Sequence, residues 1–133
     1  MPLPTFAPPP WAPVAPFWEG VAAGELRLPR CDRCGSFVWY PEETGAHCEG
    51  AGLTWETLPG TGTVYTHTTV RRAFPPSTEP GDLPVVVVLV EPDGAPGVRL
   101  LSNLDGGAPA IGQRVRMEVR DGPEGRRPVF VPA

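Results

Sequence analysis

The chain has 133 residues and a formal net charge of −4, enough for one modest domain or a small domain with an appended module. Its 20 prolines and 16 glycines argue against long helices and for short strands joined by turns. Its basic residues are too dispersed for a nucleic-acid groove, and its most apolar run, Val85 to Val90, is strand-sized rather than membrane-spanning.

Met1 to Pro16 holds seven prolines and is expected to run extended, as a leader or linker over residues 1–16. Its apolar residues Leu3, Phe6, Trp11 and Val14 suit docking in a groove of this protein or of a partner. The segment lacks a basic leader ahead of an apolar stretch, so a cytoplasmic location is expected. A short helical segment is predicted over 17–29: Phe17, Val21 and Gly24 share one side at i, i+4 and i+7, and Gly24 is a natural stop. So short a helix needs a packing partner.

Residues 30–52 read as a metal-binding module. Leu26 to Leu28 leads into Cys31-Asp32-Arg33-Cys34-Gly35, and Phe37 to Tyr40 is predicted to return as a strand with Trp39 and Tyr40 on opposite faces. Two thiolates with two residues between them, and a glycine to relieve the turn, form half of a zinc knuckle pair. The second half is reduced to Cys48, because Gly45 stands three residues before it and has no ligating side chain. Zinc with Cys31, Cys34 and Cys48 as ligands is one reading, with His47 as the fourth ligand and Glu43 or Glu49 as weaker substitutes. The other is a former ribbon held by aromatic and proline packing, its thiols left over. A redox role fits less well, since no periodic helix follows the CxxC to lower a thiol pKa.

From Leu53 to the end, residues 53–133 read as a β domain. Strands are predicted at Gly62 to Arg71, Pro84 to Glu91, Val98 to Leu104, Gln113 to Arg120 and Arg127 to Val131, separated by Gly-, Pro- and Asp-rich turns. Val115, Met117 and Val119 alternate with charged residues, which predicts one buried and one wet face. Val85 to Val90 does not alternate and should be central. The pattern favours a five-stranded OB-type barrel, with the long loop Arg72 to Leu83 as its main excursion. No catalytic series can be assembled from His67, His47, Ser102, Asn103, Asp82 and Asp105, so no catalytic residue is assigned. Arg71-Arg72, at the root of the long loop, is the best candidate contact for a ligand's phosphates, ahead of Arg126-Arg127.

The motifs Phe17-Trp18-Glu19-Gly20, Cys31-Asp32-Arg33-Cys34-Gly35, Gly60 to Thr68, Leu101-Ser102-Asn103-Leu104, Ile111 to Val115 and Pro128 to Pro132 occur in one order over more than one hundred residues. Through them the chain resembles the acyl-CoA-associated zinc-ribbon and OB-fold proteins, formerly a domain of unknown function. The resemblance implies a mainly β protein with a short N-terminal helix, a rubredoxin-like zinc ribbon and a C-terminal five-stranded OB barrel. The family has four ribbon cysteines. Cys48 matches the last and Gly45 occupies the third, which leaves the ribbon degenerate.

The implied role is a non-catalytic partner of thiolase-superfamily enzymes: thiolases, acyltransferases, or lipid-transfer-protein-like retro-aldolases of steroid side-chain breakdown. A MaoC-like hydratase is a further implied partner, and the CoA thioester would be bound mainly by the larger enzyme. Trp11, Phe17, Trp18, Trp39 and Tyr40 are the residues expected to anchor such an interface. The alternatives are a stand-alone acyl-CoA enzyme and a single-stranded nucleic-acid-binding OB module, the latter disfavoured by charge and by few strand aromatics.

Overall fold

The computed structural model describes residues 12–41, 48, 51–73, 81, 83–122 and 125–133. A 3₁₀ turn, Ala12–Val14, runs into helix α1, Ala15–Ala22. Residues 12–16, expected to be leader, are therefore part of the folded unit. Pro16 falls in the first helical turn, where its missing N–H costs nothing, and Val14 is fully buried. The helix ends in a Schellman arrangement. Gly24, at φ 78°, donates to the Val21 carbonyl at 3.0 Å, and Glu25 donates to the Gly20 carbonyl at 2.7 Å.

Strand β1 (Leu26–Cys31) follows at once and pairs antiparallel with β2 (Leu53–Leu58) in a register running from Leu26↔Leu58 to Cys31↔Leu53. This pairing corrects the expected ribbon. The return strand is β2 rather than Phe37 to Tyr40. Residues 37–40 form a bend attached to β1 by one bridge, Arg30↔Phe37, and by the Val38 N–H to the Pro29 carbonyl at 2.9 Å.

The second sheet holds β3 (Thr61–Val70), β4 (Val85–Pro92), β5 (Leu100–Asn103), β6 (Arg114–Gly122) and β7 (Gly125–Pro132), ordered β5-β4-β3-β6-β7. These are the five predicted strands. A bulge between Val64 and Thr66 bends β3. The sheet closes between its edges, where Leu104 bridges Phe130 in parallel and the Asp105 N–H reaches the Phe130 carbonyl at 2.9 Å. Val85 to Val90 is central as expected, between β3 and β5, with Val85, Val88 and Val90 fully buried. On β6 the alternation holds at Val115, whereas Met117 and Val119 are only partly buried.

One core unites the parts. Val14, Phe17, Val21, Leu26 and Leu28 join Val64, Val88, Val90, Leu100, Val115 and Phe130 in a continuous apolar cluster. Burial of this kind contributes about 25 cal/mol per Å² of apolar surface, so neither the two-stranded ribbon nor the helix needs to be stable alone. Arg126 Nη1, on β7, also donates to the Ala22 carbonyl at the helix end at 2.7 Å. It thereby satisfies one of the acceptors a helix leaves open. Among the described residues no helix is long and apolar enough to cross a membrane.

Candidate metal centre and partner face

The β1–β2 register brings the cysteines together. Cys31 is the last residue of β1, and the chain turns tightly after it: the Gly35 N–H reaches the Cys31 carbonyl at 2.9 Å, with Gly35 at φ 75°. The Ser36 N–H points at Cys34 Sγ at 3.5 Å, as amides do around a knuckle sulfur. Asp32 ties this turn to the start of β2. Its N–H donates to the Gly52 carbonyl at 3.0 Å, and its Oδ1 accepts from Thr54 Oγ1 at 2.5 Å. Cys48, at φ 46°, is held by its carbonyl accepting from the Ala51 N–H at 2.8 Å. Arg30 braces the turn from outside, donating to the Gly35 carbonyl at 2.6 Å and lying over the Phe37 ring at 5.4 Å.

The three sulfurs all lie within 4.8 Å of one another. Tetrahedral Zn–S bonds of about 2.3 Å place sulfurs about 3.8 Å apart, so the cluster needs only slight contraction to seat an ion. Hydrogen bonding of the Cys48 S–H to Cys34 and then to Cys31, with desolvation, pushes the Cys48 thiol up to about 11. Three sulfurs this close resist carrying negative charge together, and a cation would reverse that preference. The residues present fit a thiophilic metal ion. His47, Glu43, Glu49 and Gly45 lie outside the described residues.

A row of four rings runs beside this module. Trp18 meets Phe17 edge-on at 5.3 Å and 83°, Phe17 meets Trp39 at 5.2 Å, and Trp39 stacks on Tyr40 at 4.8 Å and 28°. Stacking puts Trp39 and Tyr40 on the same side, which corrects the opposite-face expectation; the segment bends instead of extending. Phe17 is fully buried. It is not available as a direct partner contact, contrary to the expectation, and packs against Trp18 and Trp39. Trp18 and Trp39 are half-buried, Tyr40 is 43% exposed, and Trp11 lies outside the described residues.

The barrel's polar residues hold structure. Ser102 and Asn103 are buried at the end of β5, and Asn103 Nδ2 donates to the Val86 carbonyl at 3.3 Å. Asp105 accepts from Arg120. Asp93 is bound by Arg114 at 2.9 Å and by Thr61 at 2.6 Å, and these hold its carboxyl down to about 2. His67 lies on β3 opposite Val88. Arg71 and Arg72 are exposed just past β3, at the mouth of the long loop. Sequence reasoning missed one surface feature: Tyr65, 52% exposed, lies under the Arg99 guanidinium at 3.8 Å, and Arg99 is itself tied to Glu91 at 2.7 Å. An aromatic among the polar residues of a strand was the available signal.

A short helix, a cysteine-bearing two-stranded ribbon and a closed five-stranded barrel on one core define a zinc-ribbon plus OB-fold protein. Residues 18–54 match the family described as "ChsH2, rubredoxin-like zinc ribbon domain", and residues 55–120 match "ChsH2, C-terminal OB-fold domain". The solved structure "Ltp2-ChsH2(DUF35) aldolase" is similar over 94% of this chain and 98% of that one, at 30% identity and a TM-score of 0.77. No curated protein matches the chain. The chain belongs to the ChsH2 (DUF35) family of zinc-ribbon and OB-fold proteins. The border between the two matched regions falls inside β2, whose strand pairs with the ribbon.

Proposed function

We propose that the chain is a non-catalytic accessory subunit of a thiolase-superfamily acyl-CoA enzyme, namely a lipid-transfer-protein-like retro-aldolase of steroid side-chain degradation. The observation that carries this reading is the similarity across both domains, at 30% identity, to a chain whose structure is described as an Ltp2-ChsH2(DUF35) aldolase. Asn103, Asp93 and Asp105 are engaged in hydrogen bonds and ion pairs within the barrel, and no nucleophile–base–orienter series is assigned among the described residues. In this reading the carbon–carbon cleavage, with its acid–base chemistry, belongs to the larger enzyme. The accessory chain shapes and stabilises that enzyme and supports its attachment to a MaoC-like hydratase. The CoA thioester sits mainly in the larger enzyme, with Arg71 and Arg72 placed for a secondary contact with CoA phosphates.

Zinc is the proposed ion for the sulfur cluster, with Cys31, Cys34 and Cys48 as ligands and His47 as the sequence's candidate for the fourth position. When bound, it would pin the two cysteine turns together, a structural task. The partner face is the surface of Trp18, Trp39 and Tyr40. Aromatic residues backed by a rigid core lose little entropy on binding and often carry interface energy.

Tyr40→Ala tests this face, because Tyr40 is the most exposed ring of the row. The substitution should weaken the complex with the enzyme subunit about tenfold while leaving the melting temperature of the isolated chain close to that of the parent. Equal loss of complex and of stability would assign the ring to the core and move the interface elsewhere.

A further inference from the structure

The three cysteines of the chain stand together, every sulfur within 4.8 Å of the others, yet they are not equivalent. Cys31 is buried at the end of β1, with its backbone pinned on both sides. Its N–H donates to the Ser36 carbonyl at 2.8 Å, and its carbonyl accepts from the Gly35 N–H at 2.9 Å. Cys34 lies in the turn that follows and is exposed, whereas Cys48 is half-buried. Neither Cys34 nor Cys48 belongs to a strand, so either side chain can swing without breaking the β1–β2 register. The Cys48 S–H hydrogen-bonds to Cys34 first and to Cys31 second.

Oxidation of a thiol follows its access to solvent, and a second thiol within reach turns the first product into a disulfide. A CxxC couple of the kind weighed from the sequence would join Cys31 to Cys34. The fold supplies a different pair, one exposed sulfur and one mobile neighbour, and leaves Cys31 shielded behind them.

From this placement we propose that Cys34 is a site of oxidative modification by hydrogen peroxide and that Cys48 resolves it as a Cys34–Cys48 disulfide. In the first step the Cys34 sulfur attacks one peroxide oxygen and the O–O bond breaks. Cys34 becomes a sulfenic acid, and the other oxygen leaves as water with the thiol proton. In the second step the Cys48 sulfur attacks Cys34 Sγ and the S–O bond breaks. The hydroxyl departs as a second water with the Cys48 proton. The two thiols together lose two electrons, and one peroxide is reduced to two waters. The product consumes two of the three sulfurs, so the disulfide and a three-sulfur metal site are mutually exclusive states of the ribbon. The ribbon need not unfold for this exchange. β1 and β2 pair without help from the sulfurs, Leu26 and Leu28 sit in the shared core, and Asp32 bonds to Gly52 and Thr54 across to the second strand. The proposal goes beyond the accessory role and does not depend on it.

The test uses the full chain, reduced and treated with a chelator, then exposed to rising concentrations of hydrogen peroxide. Remaining thiols are alkylated, and peptides are mapped by mass spectrometry. The first product should be an intrachain Cys34–Cys48 disulfide with Cys31 alkylated, reversed by dithiothreitol. Cys31→Ser should close the same disulfide, and Cys34→Ser should slow thiol loss about tenfold. Cys48→Ser should leave Cys34 as a sulfenic acid that dimedone labels. Mapping of the unaltered chain needs no variant to fold. A Cys31–Cys34 disulfide as first product would overturn the pair, as would irreversible oxidation of Cys34 with Cys48 still a thiol. Thiols that stay reduced in excess peroxide, or that link separate chains, would overturn the site. The reduced, chelated chain should also melt cooperatively; loss of its fold would overturn the inference, because the ribbon is what brings the sulfurs together. None of these failures touches the accessory role, which is read from complex formation.

Discussion

Phe17→Ala should cost about 3–5 kcal/mol of folding stability, the range for removing a fully buried aromatic ring. The ring has no exposed surface and stands where helix, ribbon and barrel meet. It also supports Trp18 and Trp39, each about 5 Å away. Truncation would leave a cavity that neighbours cannot fill without pulling α1 off β1, and a domain of this size has only about 5–15 kcal/mol in total. A denaturant titration gives the number. Phe17→Leu should recover part of the loss, since it refills some of the volume. A loss under about 1 kcal/mol would mean that the helix is dispensable and that the shared core is an overstatement.

Gly62→Ala should also be damaging, for a steric reason. A Cβ at this position would lie 2.6 Å from the Glu91 carbonyl oxygen and 2.7 Å from Val90 Cγ1, with Pro92 Cα at 3.2 Å. Gly62 is pinned on both sides, opposite Pro92 on β4 and Val115 on β6. The backbone must separate to admit a methyl group, and overpacking of this kind costs about 1–3 kcal/mol or more. Gly60→Ala is the informative contrast. Gly60 has φ 83° and open space around its missing Cβ, so only the conformational penalty of about 1–2 kcal/mol applies. Denaturation curves in which Gly62→Ala proves milder than Gly60→Ala would contradict this close strand packing.

The barrel was legible because its strands carry their own signals. Val85 to Val90 announced a central strand by lacking alternation, and glycine- and aspartate-rich turns separated the others. The helix was legible in its apolar spacing but not in its start, because a proline in the first turn reads like the prolines before it. β2 was missed for a physical reason. Leu53 to Leu58 has no strong alternation of its own and becomes a strand by pairing with β1, a long-range event. The Trp39–Tyr40 arrangement failed in the same way, since period-two reasoning holds only where the chain is extended.

At the candidate site, spacing identified Cys31 and Cys34 as a pair and Cys48 as their companion, and the fold brings their sulfurs together. Burial was not legible. Phe17 and Tyr40 look equally apt as anchors in the sequence, yet one is in the core and the other on the surface. The Asp93–Arg114 pair, separated by 21 positions, was invisible without the barrel.

The accessory role itself is tested most directly by reconstitution. The purified chain, the thiolase-superfamily enzyme of its own source and the two together would each be assayed for retro-aldol cleavage of a steroid side-chain CoA thioester. Cleavage by the mixture, with none from this chain alone and little from the enzyme alone, is the expected result. Turnover by the isolated chain, or enzyme activity and assembly state unchanged by its addition, would contradict it.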